Sequence, residues 1–139
     1  MDQFFEFVSN HFFLVAAFIG LLVLFVANET RRGGRSVSAQ ELVHLVNREN
    51  ALVLDVRDRK EFEAGHIVDA VNIPFPALES RLTELDKHKG RPIVVACKLG
   101  QHAGAAGTIL ARGGHESVAR LAGGMGEWRG AQLPLVKGA

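Results

Sequence analysis

Hydrophobic positions along this chain of 139 residues follow two different patterns. From Phe12 to Ala27 the sequence runs FFLVAAFIGLLVLFVA without a charge. As a helix it spans roughly 24 Å at about 1.5 Å rise per residue. Extending it back to Val8 through Ser9, Asn10 and His11 reaches the roughly 30 Å thickness of a bilayer's hydrocarbon layer. The sequence therefore predicts one transmembrane helix over residues 8–27. It is preceded by a short N-terminal segment, 1–7, and followed by a basic, flexible linker, 28–35, reading NETRRGGR. A cleaved export signal would carry a basic segment before the apolar run, whereas Asp2 and Glu6 stand there.

Beyond the linker the apolar residues come in short runs. Ser38-Ala39-Gln40-Glu41 reads as a capping box, followed by a helical stripe of Leu42, Leu45 and Val46. Ala51 to Val56 is a continuous apolar run of strand length interrupted only by Asp55. Arg59 to Ala64 is a short helix closed by Gly65, and Val71-Asn72-Ile73 a strand stopped by Pro74. Leu78, Leu82 and Leu85 carry helical spacing within 75–85. Ile93 to Ala96 is the second strong strand, and it delivers Cys97 at its C-terminal end. Ala103 to Arg112 is a helix of small residues ending at Gly113-Gly114, Val118 to Leu121 a further strand, and Trp128 sits on a last helical turn. Strands alternating with helices predict an α/β domain over residues 36–139, with a mainly parallel central sheet flanked by helices.

Composition sharpens this division. Seven of the nine Phe lie within the first 25 residues, so the aromatic content is concentrated ahead of the α/β domain. Sixteen basic against 15 acidic residues exclude a strongly basic nucleic-acid-binding chain. A single cysteine excludes a disulfide scaffold. Arg31, Arg32 and Arg35 follow the apolar run, so the positive-inside rule places the C-terminal domain in the cytoplasm and the N-terminus outside, at the plasma (inner) membrane. Ala16 and Gly20, four apart on that helix, leave room for a membrane-protein partner.

In parallel α/β sheets ligands sit beyond the carboxyl ends of the strands, which is where Cys97 falls. A Gly-containing loop and a helix N-terminus follow it, so backbone N–H groups converge on the thiol and favour a thiolate, a persulfide or a bound oxyanion. On the residues alone, a nucleophile and a small packed hydrophobe fit this position equally. Cys97, His66, His102 and His115 are soft ligands without a recognised metal spacing, so no metal site is assigned. Asp55, Arg57 and His66 read as supports that fix loops by hydrogen bonds. Lys87, Lys89 and Arg91 around His88 read as a solvated turn.

Several motifs together resemble the rhodanese-like sulfurtransferase family over nearly all of residues 36–136. These are Leu54-Asp55-Val56-Arg57, Glu61-Phe62, Gly65-His66-Ile67, Ala70 with Asn72-Ile73-Pro74, then Cys97 with Gly100, Gly113-Gly114, Leu121 with Gly123-Gly124, Trp128 and Pro134. Membrane-anchored single-domain members are a known bacterial arrangement, and the whole chain resembles one. The resemblance implies a nucleophile, Cys97, that takes sulfane sulfur from a donor such as thiosulfate. It then forms a persulfide and passes the sulfur to a thiol or cyanide, without a cofactor. It also implies a cradle around Cys97 formed by the backbone amides of Lys98, Leu99, Gly100, Gln101, His102 and Ala103. The family's active loop reads C-x-x-G-x-R, and here His102 stands where the Arg would be. An Arg is always charged and presents a bidentate fork, which a His does not. Lys98 and protonated His102 are expected to replace part of that charge. Related phosphatases use a loop one residue longer with a terminal Arg, whereas Ala103 stands six positions after Cys97. The alternative to an enzyme is an anchored interaction module whose active loop has drifted.

Overall fold

The computed structural model describes residues 1–32 and 35–139, with the side chains of residues 1–28 and 35–139. The chain divides into two units, Met1–Arg31 and Arg32–Ala139.

The first unit is two helices, α1 (Asp2–Asn10) and α2 (Phe12–Arg32). The continuous helix predicted over 8–27 is interrupted at His11, with α1 and the 12–28 part of α2 bent by 86°. The cause is local. The His11 ring stacks on Phe7 with centroids 4.6 Å apart, and its Nδ1 lies 3.2 Å from the Phe7 carbonyl oxygen, which also accepts the His11 backbone N–H. A side chain that competes for a helix carbonyl helps end the helix. No single helix among the described residues is long and apolar enough to cross a membrane; α1 and α2 pass the length and composition test only together. On α1, Phe4, Phe5, Phe7 and Val8 fall on one face and Asp2, Gln3, Glu6, Ser9 and Asn10 on the other, at 3.6 residues per turn. Of the linker foreseen over 28–35, residues 28–32 continue α2, Gly33 and Gly34 lie outside the described residues, and Arg35 opens a strand.

The second unit is a five-stranded parallel sheet in the order β1-β5-β4-β2-β3, with β1 Arg35–Val37, β2 Leu52–Asp55, β3 Val71–Asn72, β4 Ile93–Ala96 and β5 Val118–Leu121. Its helices are α3 (Ala39–Glu49), α4 (Arg59–Ala64), α5 (Ala103–Arg112) and α6 (Gly124–Gly130). Strand β1 was not foreseen. It is three residues long at the sheet edge, with only Val37 buried, too brief to show a period of two. The cap on α3 forms as expected, Ser38 Oγ accepting the Glu41 N–H at 3.1 Å. The helix expected within 75–85 is instead two 3-10 segments, Phe75–Ala77 and Leu82–His88. Leu82 and Leu85 are three apart, the repeat of a 3-10 turn, and Pro74 and Pro76 limit regular α-helical bonding at the start.

Parallel strands buried on both faces read as unbroken apolar runs, as β2 and β4 do. Their side chains alternate between two cores. Val53, Val94 and Ala96 pack with Leu42, Leu45, Met125 and Trp128 beneath α3 and α6. Leu52, Leu54, Ile93, Val95 and Cys97 pack with Leu78, Leu85, Ala106 and Leu110 beneath α5 and the 3-10 segments. This alternation turns the Cys97 side chain toward α5.

Candidate active site

Strands β2 and β4 are neighbours, with Asp55 opposite Ala96. The chain leaving β2 and the chain leaving β4 therefore emerge side by side at the carboxyl edge of the sheet. Cys97 is the first residue past β4 and is 2% exposed. The Gly100 N–H donates to Cys97 Sγ at 2.7 Å, which directs a backbone dipole at the sulfur. This turn requires glycine, because Gly100 has φ +94°.

The outer side of the loop is held by α6. Met125 N–H donates to the Cys97 carbonyl at 2.7 Å and Gly126 N–H to the Lys98 carbonyl at 3.0 Å. That approach is possible only because residue 124 has no side chain. A Cβ there would collide with the Cys97 carbonyl oxygen and lie 2.9 Å from the Gly100 nitrogen. Two carbonyls of the loop are thus bonded to α6 while the Gly100 amide is bonded to sulfur.

Cys97 opens on a cavity of about 300 Å³. Val56, Phe75 and Pro76 form an apolar wall, Arg57, Asp58 and Glu61 line it from the β2 exit, and Lys98, Gln101 and His102 line it from the active loop. The His102 ring stacks on Phe75 with centroids 4.9 Å apart and planes at 19°. Of the six residues expected to form the cradle, Lys98, Gln101 and His102 thus line the cavity, and Gly100 reaches the sulfur by its amide. The Leu99 residue is 63% exposed, and Ala103 is buried at the start of α5.

Asp55 and Arg57 are joined to each other. Arg57 Nη2 donates to Asp55 Oδ2 at 2.7 Å, Arg57 Nε donates to Oδ1 at 3.0 Å, and Nη2 also donates to the Gly65 carbonyl at 2.8 Å. Asn72 Nδ2 donates to the carbonyls of Asp55 and Arg57, both at 3.0 Å. This network ties the β2 exit to Gly65 and β3. His66 stacks on Phe62 at 3.7 Å, and its Nδ1 donates to the Phe62 carbonyl at 2.8 Å. Trp128 is buried, and its indole N–H donates to the Pro134 carbonyl at 3.0 Å. In the turn around His88, Arg91 Nε donates to the Asn50 carbonyl at 2.7 Å.

The cavity residues not assigned to the site from the sequence are Val56, Asp58, Glu61, Phe75 and Pro76. Their signal is spatial, since the pairing of β2 with β4 brings the segment after Asp55 beside the segment after Ala96. Away from this site, His115 is buried with neither ring nitrogen hydrogen-bonded. Burial pushes its pKa down, Lys89 and His88 push the same way, and Asp86 opposes them. Among the described residues no three His, Cys, Asp or Glu side chains form a group able to hold a metal ion.

A parallel sheet whose central strand ends in a cysteine, with an amide-directed loop and a helix behind it, defines a cysteine-centred α/β domain. Residues 38–131 match the family model of the rhodanese-like domain, and the chain belongs to that family. It is 32% identical over 142 residues to a protein described as uncharacterized protein YibN from Escherichia coli strain K12, covering 99% of each chain. It is 32% identical over 92 residues to a protein named sulfurtransferase from Allochromatium vinosum, covering 66% of this chain and 84% of that one. Among solved structures, a rhodanese-related protein from Thermoplasma volcanium is similar with a TM-score of 0.66 at 28% identity, covering 73% of this chain and 97% of that one.

Proposed function

We propose that the protein is a sulfurtransferase that carries sulfane sulfur as a persulfide on Cys97. The Cys97 thiolate attacks the outer sulfur of a donor R–S–S⁻; the donor's S–S bond breaks, its electron pair leaves with the R–S sulfur, and a new S–S bond forms on Sγ. An acceptor thiolate or cyanide then attacks the outer sulfur, and Cys97 leaves as thiolate. No external oxidant or reductant enters either step. The chain has one cysteine, so the persulfide is discharged to another molecule rather than to an internal thiol.

The observation that carries this reading is the 2.7 Å bond from the Gly100 N–H to Cys97 Sγ at the cavity. A backbone donor fixed on the sulfur stabilises negative charge there, both on the attacking thiolate and on the departing one. Thiosulfate serves as a poorer donor than in relatives with the arginine, because His102 lacks a guanidinium's fork and permanent charge. The test is thiocyanate release from cyanide after loading with thiosulfate or a small persulfide. The account expects release from the wild type and none from Cys97→Ser. Absence of release and of any sulfur adduct favours the interaction module, to which the exposed Leu99 on the active loop is suited.

The first unit is proposed to hold the domain at the bacterial inner membrane through residues 8–27, with the N-terminus outside and the C-terminal domain in the cytoplasm. The support is the uncharged run from Phe12 to Ala27, the exposure of Phe12, Phe13, Leu14, Phe18 and Phe25, and the apolar face of α1. With the bend at His11, α1 and α2 together supply the length and apolar content that neither supplies alone. Sedimentation with membranes that resists alkaline carbonate supports the anchor; recovery in the soluble fraction overturns it.

A further inference from the structure

The charges at the cavity mouth are unlike those that a site for a small dianion needs. Arg57 lines the cavity, but its guanidinium is bonded to the Asp55 carboxylate and the Gly65 carbonyl. Asp58 and Glu61 line the same wall, and among the described residues neither carboxylate makes a hydrogen bond or ion pair. Asp58 leaves the α4 N-terminus uncapped by its side chain, and Arg59 pairs with Glu63 instead, at 2.9 Å. Lys98 and His102 line the same cavity from the active loop, and among the described residues the Lys98 ammonium makes no hydrogen bond or ion pair.

Two unpaired carboxylates repel a dianionic donor such as thiosulfate, and of the arginine and lysine that line the cavity, Arg57 is already paired with Asp55, which leaves Lys98. The same arrangement matches a zwitterion: a cationic ammonium faces Asp58 and Glu61, and a carboxylate faces Lys98 and His102. A cavity of about 300 Å³ is at the lower end of the range for small-molecule sites, large for an ion the size of thiosulfate and of the right order for an amino acid. Resting on the sulfurtransferase reading above, we propose that the donor is a low-molecular-weight amino-acid persulfide, held by its ammonium at Asp58 and Glu61 and by its carboxylate at Lys98. The Cys97 thiolate attacks the donor's outer sulfur, the S–S bond breaks, and the electron pair departs with the amino-acid thiolate. Asp58 and Glu61 touch the donor's ammonium and take no part in the sulfur exchange.

The experiment loads full-length protein in detergent with cysteine persulfide, N-acetylcysteine persulfide or thiosulfate, and follows the Cys97 adduct by mass spectrometry. Each persulfide rate is normalised to that donor's rate with a free thiol. The wild type is expected to prefer the free amino form by about fivefold, the size of a well-placed, partly exposed ion pair. Glu61→Gln, and separately Asp58→Asn with Glu61→Gln, are expected to lose that preference and to load faster from thiosulfate. Equal normalised rates in the wild type, or a preference that survives in folded variants, overturn the donor assignment while leaving the sulfurtransferase reading intact. Failure of all three donors to load Cys97 overturns both.

Discussion

Gly124 and Cys97 are packed so closely that a single methyl group at residue 124 would occupy the space of the Cys97 carbonyl oxygen. The contact lets the Met125 N–H reach that carbonyl and holds the active loop from outside. Gly124 also has φ +58°, a conformation that side-chain-bearing residues rarely adopt. Gly124→Ala is therefore expected to displace the loop and its Gly100 amide. Sulfur loading of Cys97 should fall by about tenfold or more, the loss attached to one misplaced oxyanion-type donor. Gly130→Ala, where a Cβ meets nothing, is the matched control. Equal loading rates in the two variants would contradict this role.

The Asp55–Arg57 pair is buried, and its two members have side chains 1% and 3% exposed. Removing one partner strands the other's charge in the interior. Asp55→Ala is expected to destabilise the domain by about 3–5 kcal/mol, as for other buried pairs broken on one side. Urea unfolding followed by Trp128 fluorescence measures it. A loss no larger than that of breaking the exposed Arg81–Glu84 pair would contradict the assignment.

His102 occupies the position at which the family pattern carries arginine, and it lines the cavity against Phe75. His102→Arg is expected to raise thiosulfate loading by about tenfold or more, since a permanent, forked cation gains charge-assisted bonds that imidazole lacks. His102→Gln removes the ring that stacks on Phe75 at the cavity, and its thiosulfate loading is expected to fall below the parent's. Loading rates identical to the parent's in both variants would show that His102 does not hold the donor.

His115 gives the fold a pH dependence of its own. Burial, aided by Lys89, makes the folded chain bind this proton less readily than the unfolded chain does. As pH falls below the ordinary histidine value of 6.5, the unfolded chain takes up more protons and stability declines. The decline ends once pH passes below the depressed folded value. His115→Phe, which needs no polar partner, should remove this component. Urea midpoints at about pH 7.5 and pH 5.5, either side of the histidine range, measure it. The wild type is expected to lose more stability between them than the variant, and equal losses would contradict the assignment.

How much of this was readable beforehand depends on how local each signal is. The strands β2 and β4 are unbroken apolar runs because both faces of the sheet are covered, and Cys97 follows directly from where the second run stops. The family motifs extend that reading over most of the domain. Strand β1 escaped because Arg35-Ser36-Val37 buries one residue at a sheet edge, and its partner, β5, lies more than 80 residues further along. The break at His11 depends on a ring folding back on Phe7, which hydrophobicity does not register. The 3-10 segments preserve the leucine spacing of a helix and differ from it in hydrogen bonding. Asp58, Glu61 and Phe75 belong to the site only because β2 lies beside β4, a long-range pairing that no window of sequence contains.

The central claim, that Cys97 carries transferable sulfur, is tested most directly by intact-mass spectrometry of the full chain after exposure to a small persulfide and then to cyanide. The account predicts a gain of one sulfur atom on Cys97, its loss to cyanide, and no gain in Cys97→Ser. A wild-type chain that remains unmodified by every sulfane donor offered, or an adduct that persists in Cys97→Ser, would contradict it.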